Sequence, residues 1–186
     1  MSWSVFRNNI INFSNNTDAI RSTEQVASTY AIEYDAAIRR GSDILHQVSV
    51  LNTNLPALLQ SFNLAMMKGL NTNSPAFSLI NEIGTGIIAY WSGATLQPLP
   101  IPIIPAIGAI QNIAVVTNLV TNPGTWPVLP PITPMNNTSI FVDLFISAAT
   151  THLSTIGGLI NTISLYPATP SPIPGPGILV WNGYSV

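Results

Sequence analysis

The sequence predicts an α+β chain that is mainly helical: an N-terminal helical bundle, then a Pro-rich extended or β segment, then a buried apolar helix. Three observations predict it. Eleven of the twelve formal charges lie between Arg7 and Glu82, and Asp143 is the only one beyond them. Helix start and stop signals recur through the charged part, and proline punctuates the rest. The expected organisation is a helical docking domain over residues 1–93 and an apolar, Pro-rich interface segment over residues 94–186.

In the first part, residues 18–40 carry Ile20, Val26, Tyr30, Ile32, Tyr34, Ala37 and Ile38 at an imperfect helical spacing with charges interleaved. Arg39, Arg40 and Gly41 make a C-terminal stop, because cations favour the last helical turn and glycine tolerates a left-handed cap. A second helix is expected over residues 55–68, opened by Asn54 with Pro56 in its first turn and closed by Gly69. A third opens at Ser74 and Pro75 and runs through Phe77, Leu79, Ile80 and Ile83 toward Tyr90 and Trp91, before Gly93. Gly84 and Gly86 weaken that extension. Three helices with short connections make a small antiparallel bundle.

The second part changes character. Residues 96–105 read LQPLPIPIIP, and proline at this frequency excludes a helix or a central strand. Residues 114–120 (AVVTNLV) favour a strand and end at the turn formed by Thr121, Asn122, Pro123 and Gly124. Residues 126–134 are extended again, and Asn137, Thr138 and Ser139 offer a cap for a helix over about residues 138–165. The tail is a Pro/Ser/Gly run that closes in ILVWNGYSV, a strand-like terminus.

Composition narrows the function. Charged residues are 6% of the chain, against about 25% in an average soluble domain. With a net charge of −2 and no basic stripe, nucleic acid is not an expected partner. The absence of cysteine removes disulfides and thiolate chemistry. The opening residues lack the basic and apolar regions of a secretory signal. His46 and His152 are the only histidines and lie far apart, so no regular ligand spacing for a metal is visible. Glu33 and Asp35 face different directions on a helix, which disfavours an acid–base pair. No Gly-x-Ser-x-Gly elbow occurs, and Gly84-Thr-Gly86 lacks the strand and third glycine of a phosphate loop. The expectation is therefore no enzyme, no cofactor, no metal and no small-molecule substrate. Only a pocket joining Asp143 and His152 would revive chemistry, and their spacing on one helix argues against contact.

Residues 144–165 are uncharged and long enough to cross a bilayer of about 30 Å. They nevertheless hold His152, Asn161, three serines and four threonines, and no Lys or Arg flanks them. A membrane partner is thus not expected, although a membrane-inserted or membrane-active protein using residues 83–120 and 140–165 is the alternative reading. The preferred one is permanent burial against other subunits, because Pro-rich extended segments cannot satisfy their own backbone and large apolar patches aggregate when left bare. Trp91, Pro100, Pro102, Trp126, Trp181 and Tyr184 are the candidate interface anchors.

Four stretches carry a resemblance: MSWSVFRNN at residues 1–9, YAIEYDAAIRRGSD at 30–43, IPAIGAIQNI at 104–113 and VTNPGTWP at 120–127. They resemble virion structural proteins of contractile-tailed phages, especially T-even-like phages of marine cyanobacteria, and the likeness spans most of the chain. It implies a component of the tail, baseplate or neck, located in the virion after assembly in the host cytoplasm. The implied partners are other virion structural proteins, copies of the chain itself, or both.

Overall fold

A computed structural model describes residues 2–16, 20–43, 48–72, 76–98, 112–130, 137–165 and 177–186. The helices are α1 (Ser2–Asn15), α2 (Thr23–Arg39), α3 (Leu55–Thr72), α4 (Ala76–Trp91) and α5 (Thr138–Leu153). The strands are β1 (Ser42–Asp43), β2 (Val48–Asn52), β3 (Thr95–Pro98), β4 (Asn112–Asn122), β5 (Gly157–Leu165), β6 (Gly177–Asn182) and β7 (Tyr184–Ser185). The chain is α+β and mainly helical, with the bundle first and the β segment and apolar helix after it.

α1 was not among the three expected helices. Its buried face is Phe6 and Ile10, with Trp3 packed beside them, at helical spacing; seven of its fourteen residues are Asn or Ser, poor helix formers that hide the pattern. α2 starts later than expected, at a capping box. Ser22 Oγ accepts from Gln25 N (3.2 Å), and Gln25 Oε1 accepts from Ser22 N (2.9 Å). It ends at Arg39 with Arg40 as cap. Gly41 is not a left-handed cap; its bare Cα admits β7, since a Cβ would overlap the carbonyl oxygen of Ser185. α3 opens at Asn54, whose Oδ1 accepts from Ala57 N (3.3 Å), and passes through Gly69 to Thr72. The proposed cap at Ser74 and Pro75 lies outside the described residues.

α4 tolerates its two glycines because each is a point of close approach. A Cβ on Gly86 would overlap Ser61 of α3, and one on Gly84 would overlap the Trp126 indole. The helix ends at Trp91, and Gly93 takes the left-handed φ of +76 that the following turn requires.

α5 corrects the expected helix over residues 138–165. It starts where foreseen, with Asn137 Oδ1 accepting from Ser139 N (2.8 Å), and stops at Leu153. Ser154 Oγ donates to Thr151 O (2.7 Å) and Thr155 Oγ1 to His152 O (2.7 Å), which satisfies carbonyls of the last turn. Gly157 and Gly158 then begin β5, whose Ile160, Thr162 and Ile163 are β-branched. Among the described residues no helix is long and apolar enough to cross a membrane.

β2, β3, β4, β5 and β6 form one antiparallel sheet in that order, and β1 pairs with β7. β4 was foreseen; β2 was not. β3 meets β4 at one register pair, Thr95 opposite Leu119, whereas β4 and β5 pair from Asn112–Leu165 to Asn122–Gly157. Residues 96–98 are extended as expected, but the exclusion of a central strand is corrected, because β3 runs to Pro98 between β2 and β4. Pro98 is tolerated where β3 pairs only with β2. The rest of residues 96–105 lies outside the described residues, as do residues 131–136 and the Pro-rich run before β6.

The buried residues form one cluster drawn from both sides of residue 93. At its centre Phe145 of α5 stacks on Phe6 (5.6 Å between centroids) and contacts Tyr34, Phe62 and Trp126. We predict that Phe145→Ala lowers the unfolding free energy by about 3–5 kcal/mol, the usual cost of emptying an aromatic site, as read from urea denaturation followed by circular dichroism.

Candidate functional site

Three places gather polar or accessible groups. The first is a buried network under β2. Asp35, 8% exposed, receives Tyr90 OH (2.7 Å) and Thr53 Oγ1 (3.0 Å) on Oδ1, and Arg39 Nε (2.6 Å) on Oδ2. Arg39 also donates to Leu51 O (2.8 Å), which ties the carboxylate of α2 to the backbone of β2. Burial first, and the Asp35 charge next, push the Tyr90 hydroxyl well above the usual phenol range, so it stays a donor. Tyr184 OH donates to Ile38 O (2.9 Å) and accepts from Val50 N (3.2 Å), and Trp91 Nε1 donates to Tyr34 OH (3.3 Å). Apart from the Arg39–Asp35 pair within α2, these bonds join separate parts of the chain. The network clamps sheet to helices.

The second is a strap, residues 122–130, laid across α4 and α5. Asn81 holds it at one end, donating to Leu129 O (3.3 Å) and accepting from Leu129 N (3.0 Å). Thr155 Oγ1 accepts from Thr125 N (2.9 Å) at the other, and Asn122 Nδ2 donates to Thr155 O (3.1 Å). Between them the Trp126 indole covers Gly84 and sits 5.6 Å from the His152 ring. His152 is fully buried; its Nε2 lies 2.8 Å from Pro123 O, an acceptor only, which assigns the proton to Nε2. Among the described residues, Nδ1 of His152 and Nε1 of Trp126 find no partner. Burial lowers the His152 pKa from 6.5 to about 4, partly opposed by the bond to Pro123.

The third is an open groove of about 850 Å³ beside the α1–α2 connection, lined by Phe13, Ile20, Arg21, Glu24, Leu59 and Asn63 among others. Arg21 is already engaged: its guanidinium lies 4.0 Å over the Phe13 ring and donates to Asn16 O (2.5 Å). Sequence reasoning did not point to this groove, because its lining comes from three elements with no shared motif.

Comparison with protein-family models, with curated proteins and with solved structures returns no match. The geometry stands alone.

The candidate anchors separate under this geometry. Trp91 (0% exposed), Trp181 (2%) and Tyr184 (3%) are packed inside their own chain, so they are core residues and not surface anchors; Trp91 and Tyr184 meet edge to face at 5.2 Å between centroids. Trp126 is half-buried in the strap. Pro100 and Pro102 lie outside the described residues. Asp143 and His152 do not converge: Asp143 faces α1, where Arg7 Nε donates to it at 2.7 Å, and that bond holds its carboxyl below the usual range. Among the described residues no group of three or more His, Asp or Glu could hold a metal ion.

Two expected outcomes follow from these contacts. Tyr90→Phe removes a bond to a buried carboxylate and costs about 1.5–3 kcal/mol, measured by urea denaturation. For His152, the unfolded chain binds the proton more tightly than the folded one, so stability is full above pH 6.5 and falls as the pH drops toward 4. The loss over that window is up to about 3 kcal/mol, and His152→Gln flattens it in denaturation curves taken across the window.

Proposed function

We propose that this chain is a non-enzymatic structural subunit of a phage particle, in the tail, baseplate or neck, and that its uncharged second half packs into a multi-subunit assembly. The observation that carries the reading is the segregation of charge, with one charged residue after Glu82. α1 to α5 pack on one another, on β2 and on β7, while β4, β5 and β6 pair with one another and join the same core at Val120 and Trp181. Those three strands are apolar at consecutive positions, as in Val115-Val116, Leu159-Ile160 and Ile178-Leu179-Val180. Consecutive apolar residues place aliphatic groups on both faces of a sheet, a pattern of strands covered on both sides.

The single charge of the second half also fits this account. Asp143 is paired with Arg7 of α1, so it serves attachment of α5 to the bundle. The virion assignment itself rests on the likeness of residues 1–9, 30–43, 104–113 and 120–127 to phage structural proteins. The partners are copies of the chain or other virion structural proteins, and the location is the particle.

Light scattering of the purified protein is expected to report oligomers or larger aggregates. A monodisperse monomer across a hundredfold concentration range sinks the assembly reading. Mass spectrometry of particles separated into heads and tails is expected to find the chain in the tail fraction, and its absence from both fractions removes the virion assignment.

A further inference from the structure

We infer that Asn182–Gly183 is a site of spontaneous deamidation that the native fold holds unreactive, and whose products weaken the closure of β6 and β7 once an opened chain has reacted. The inference goes beyond the assembly reading and does not depend on it.

The reactive pair is unique in the chain: Asn182 is the one asparagine followed by glycine. Glycine has no side chain to hinder its own amide nitrogen, so Gly183 N reaches the Asn182 carboxamide whenever the backbone is free to turn. In that step Gly183 N attacks Cγ of Asn182, and its proton leaves with the side-chain amide as ammonia while a succinimide ring closes. One water then opens the ring. Opening at Cγ gives aspartate, opening at the main-chain carbonyl gives isoaspartate, and neither route needs an oxidant or reductant. The fold requires the glycine, because residue 183 takes a φ of +80 between β6 and β7.

The same fold removes the freedom to react. Asn182 ends β6 in extended backbone, whereas ring closure needs its Cβ and Gly183 N on the same side of the Cα–C bond. Gly183 N donates to the carbonyl of buried Ile156 (2.7 Å), which ties down the nucleophile. The carboxamide lies over Gly157, its register partner, where a Cβ would meet Asn182 Oδ1 at 2.7 Å. Buried Trp181 and Tyr184 pin the chain on either side, and the Tyr184 hydroxyl is bonded to Ile38 O and Val50 N. Asn182 itself is exposed, so water for the second step is at hand. The fold withholds the rotation and leaves the reactants in place.

The products do not fit the closed form. Isoaspartate carries the main chain through Cβ and so adds a methylene between Trp181 and Tyr184. Those rings lie 6.5 Å apart, and each is set by its own register, Trp181 opposite Gly158 and Tyr184 opposite Asp43. The added methylene shifts one register or the other. Either product also places a carboxylate in residues 144–186, which otherwise hold no formal charge.

The test incubates the full chain in buffer and in guanidinium chloride at one pH and temperature, and follows residue 182 by peptide mass spectrometry. Deamidation is expected to be about tenfold or more slower in buffer, since it must wait for local opening. Equal rates overturn the protection. The isoaspartyl fraction, separated and returned to buffer, is expected to unfold at a lower urea midpoint than the amide fraction of the same incubation. Matching midpoints overturn the weakened closure. Asn182→Gln, which would have to close a larger ring, is expected to keep its midpoint through the incubation. If it loses stability as fast as the wild type, the damage lies elsewhere and the weakened closure falls. Should Asn182→Gln not fold, the two wild-type measurements still decide.

Discussion

Phe145 lies within 6.1 Å, centroid to centroid, of four aromatic rings that come from four separate parts of the chain. Phe6 is on α1, Tyr34 on α2, Phe62 on α3, and Trp126 on the strap ahead of α5. One side chain from the uncharged half therefore closes the helical bundle. Rings at this separation gain from edge and offset contacts beyond the area they bury. The consequence is directional. With α5 seated, the strap must run back across α4 to reach β4, and β5 must leave from the far end of α5. The position of the sheet follows from the seating of one helix.

Polar groups reinforce that seating and contribute little else. Arg7 joins Asp143 and Ser139 of α5 to α1, at distances of 2.7 and 2.8 Å. Asn81 and Thr155 fasten the two ends of the strap, and Asp35 with Tyr90, Thr53 and Arg39 fastens β2. His152 belongs to this set. It is a buried base held neutral by its surroundings, and its one bond closes the strap against the end of its own helix. A neutral imidazole between an indole and a proline carbonyl is a packing element, and acid acts on it by forcing a charge into a site without a counter-ion.

The parts of this fold legible in the sequence are those whose signals are local. Asn54 before Pro56, Gly93 after Trp91, Asn137 before Ser139 and the β-branched run at residues 114–120 each mark an element within a few residues of where it occurs. The missed parts depend on distant partners. α1 is written in Asn and Ser, and its helix is supported by contacts with α2 and α5 instead of by propensity. Residues 154–165 continue an apolar run that periodicity cannot assign to helix or strand; Gly157-Gly158 and the β-branched residues after it were the available arbiter. Trp91, Trp181 and Tyr184 beside glycines suit a surface anchor as well as a core residue, and only the meeting of α4 with β7 decides between them.

The distribution of charge has an energetic logic that the fold makes visible. Moving ions from water into a protein interface costs several kcal/mol for each ion unless geometry and hydrogen bonds compensate. A surface of aliphatic residues with Ser, Thr and Asn avoids most of that cost, since the polar members can bond to neighbouring backbone. The same surface has no repulsion to keep it from its own kind. In this chain the ion pairs Arg7–Asp143, Arg39–Asp35 and Lys68–Glu82 all bridge or lie within the helical part. The β4–β5–β6 sheet, which joins the core at Val120, Gly158 and Trp181, has no charged residue in its strands. The charged residues and the uncharged strands thus occupy different parts of one molecule.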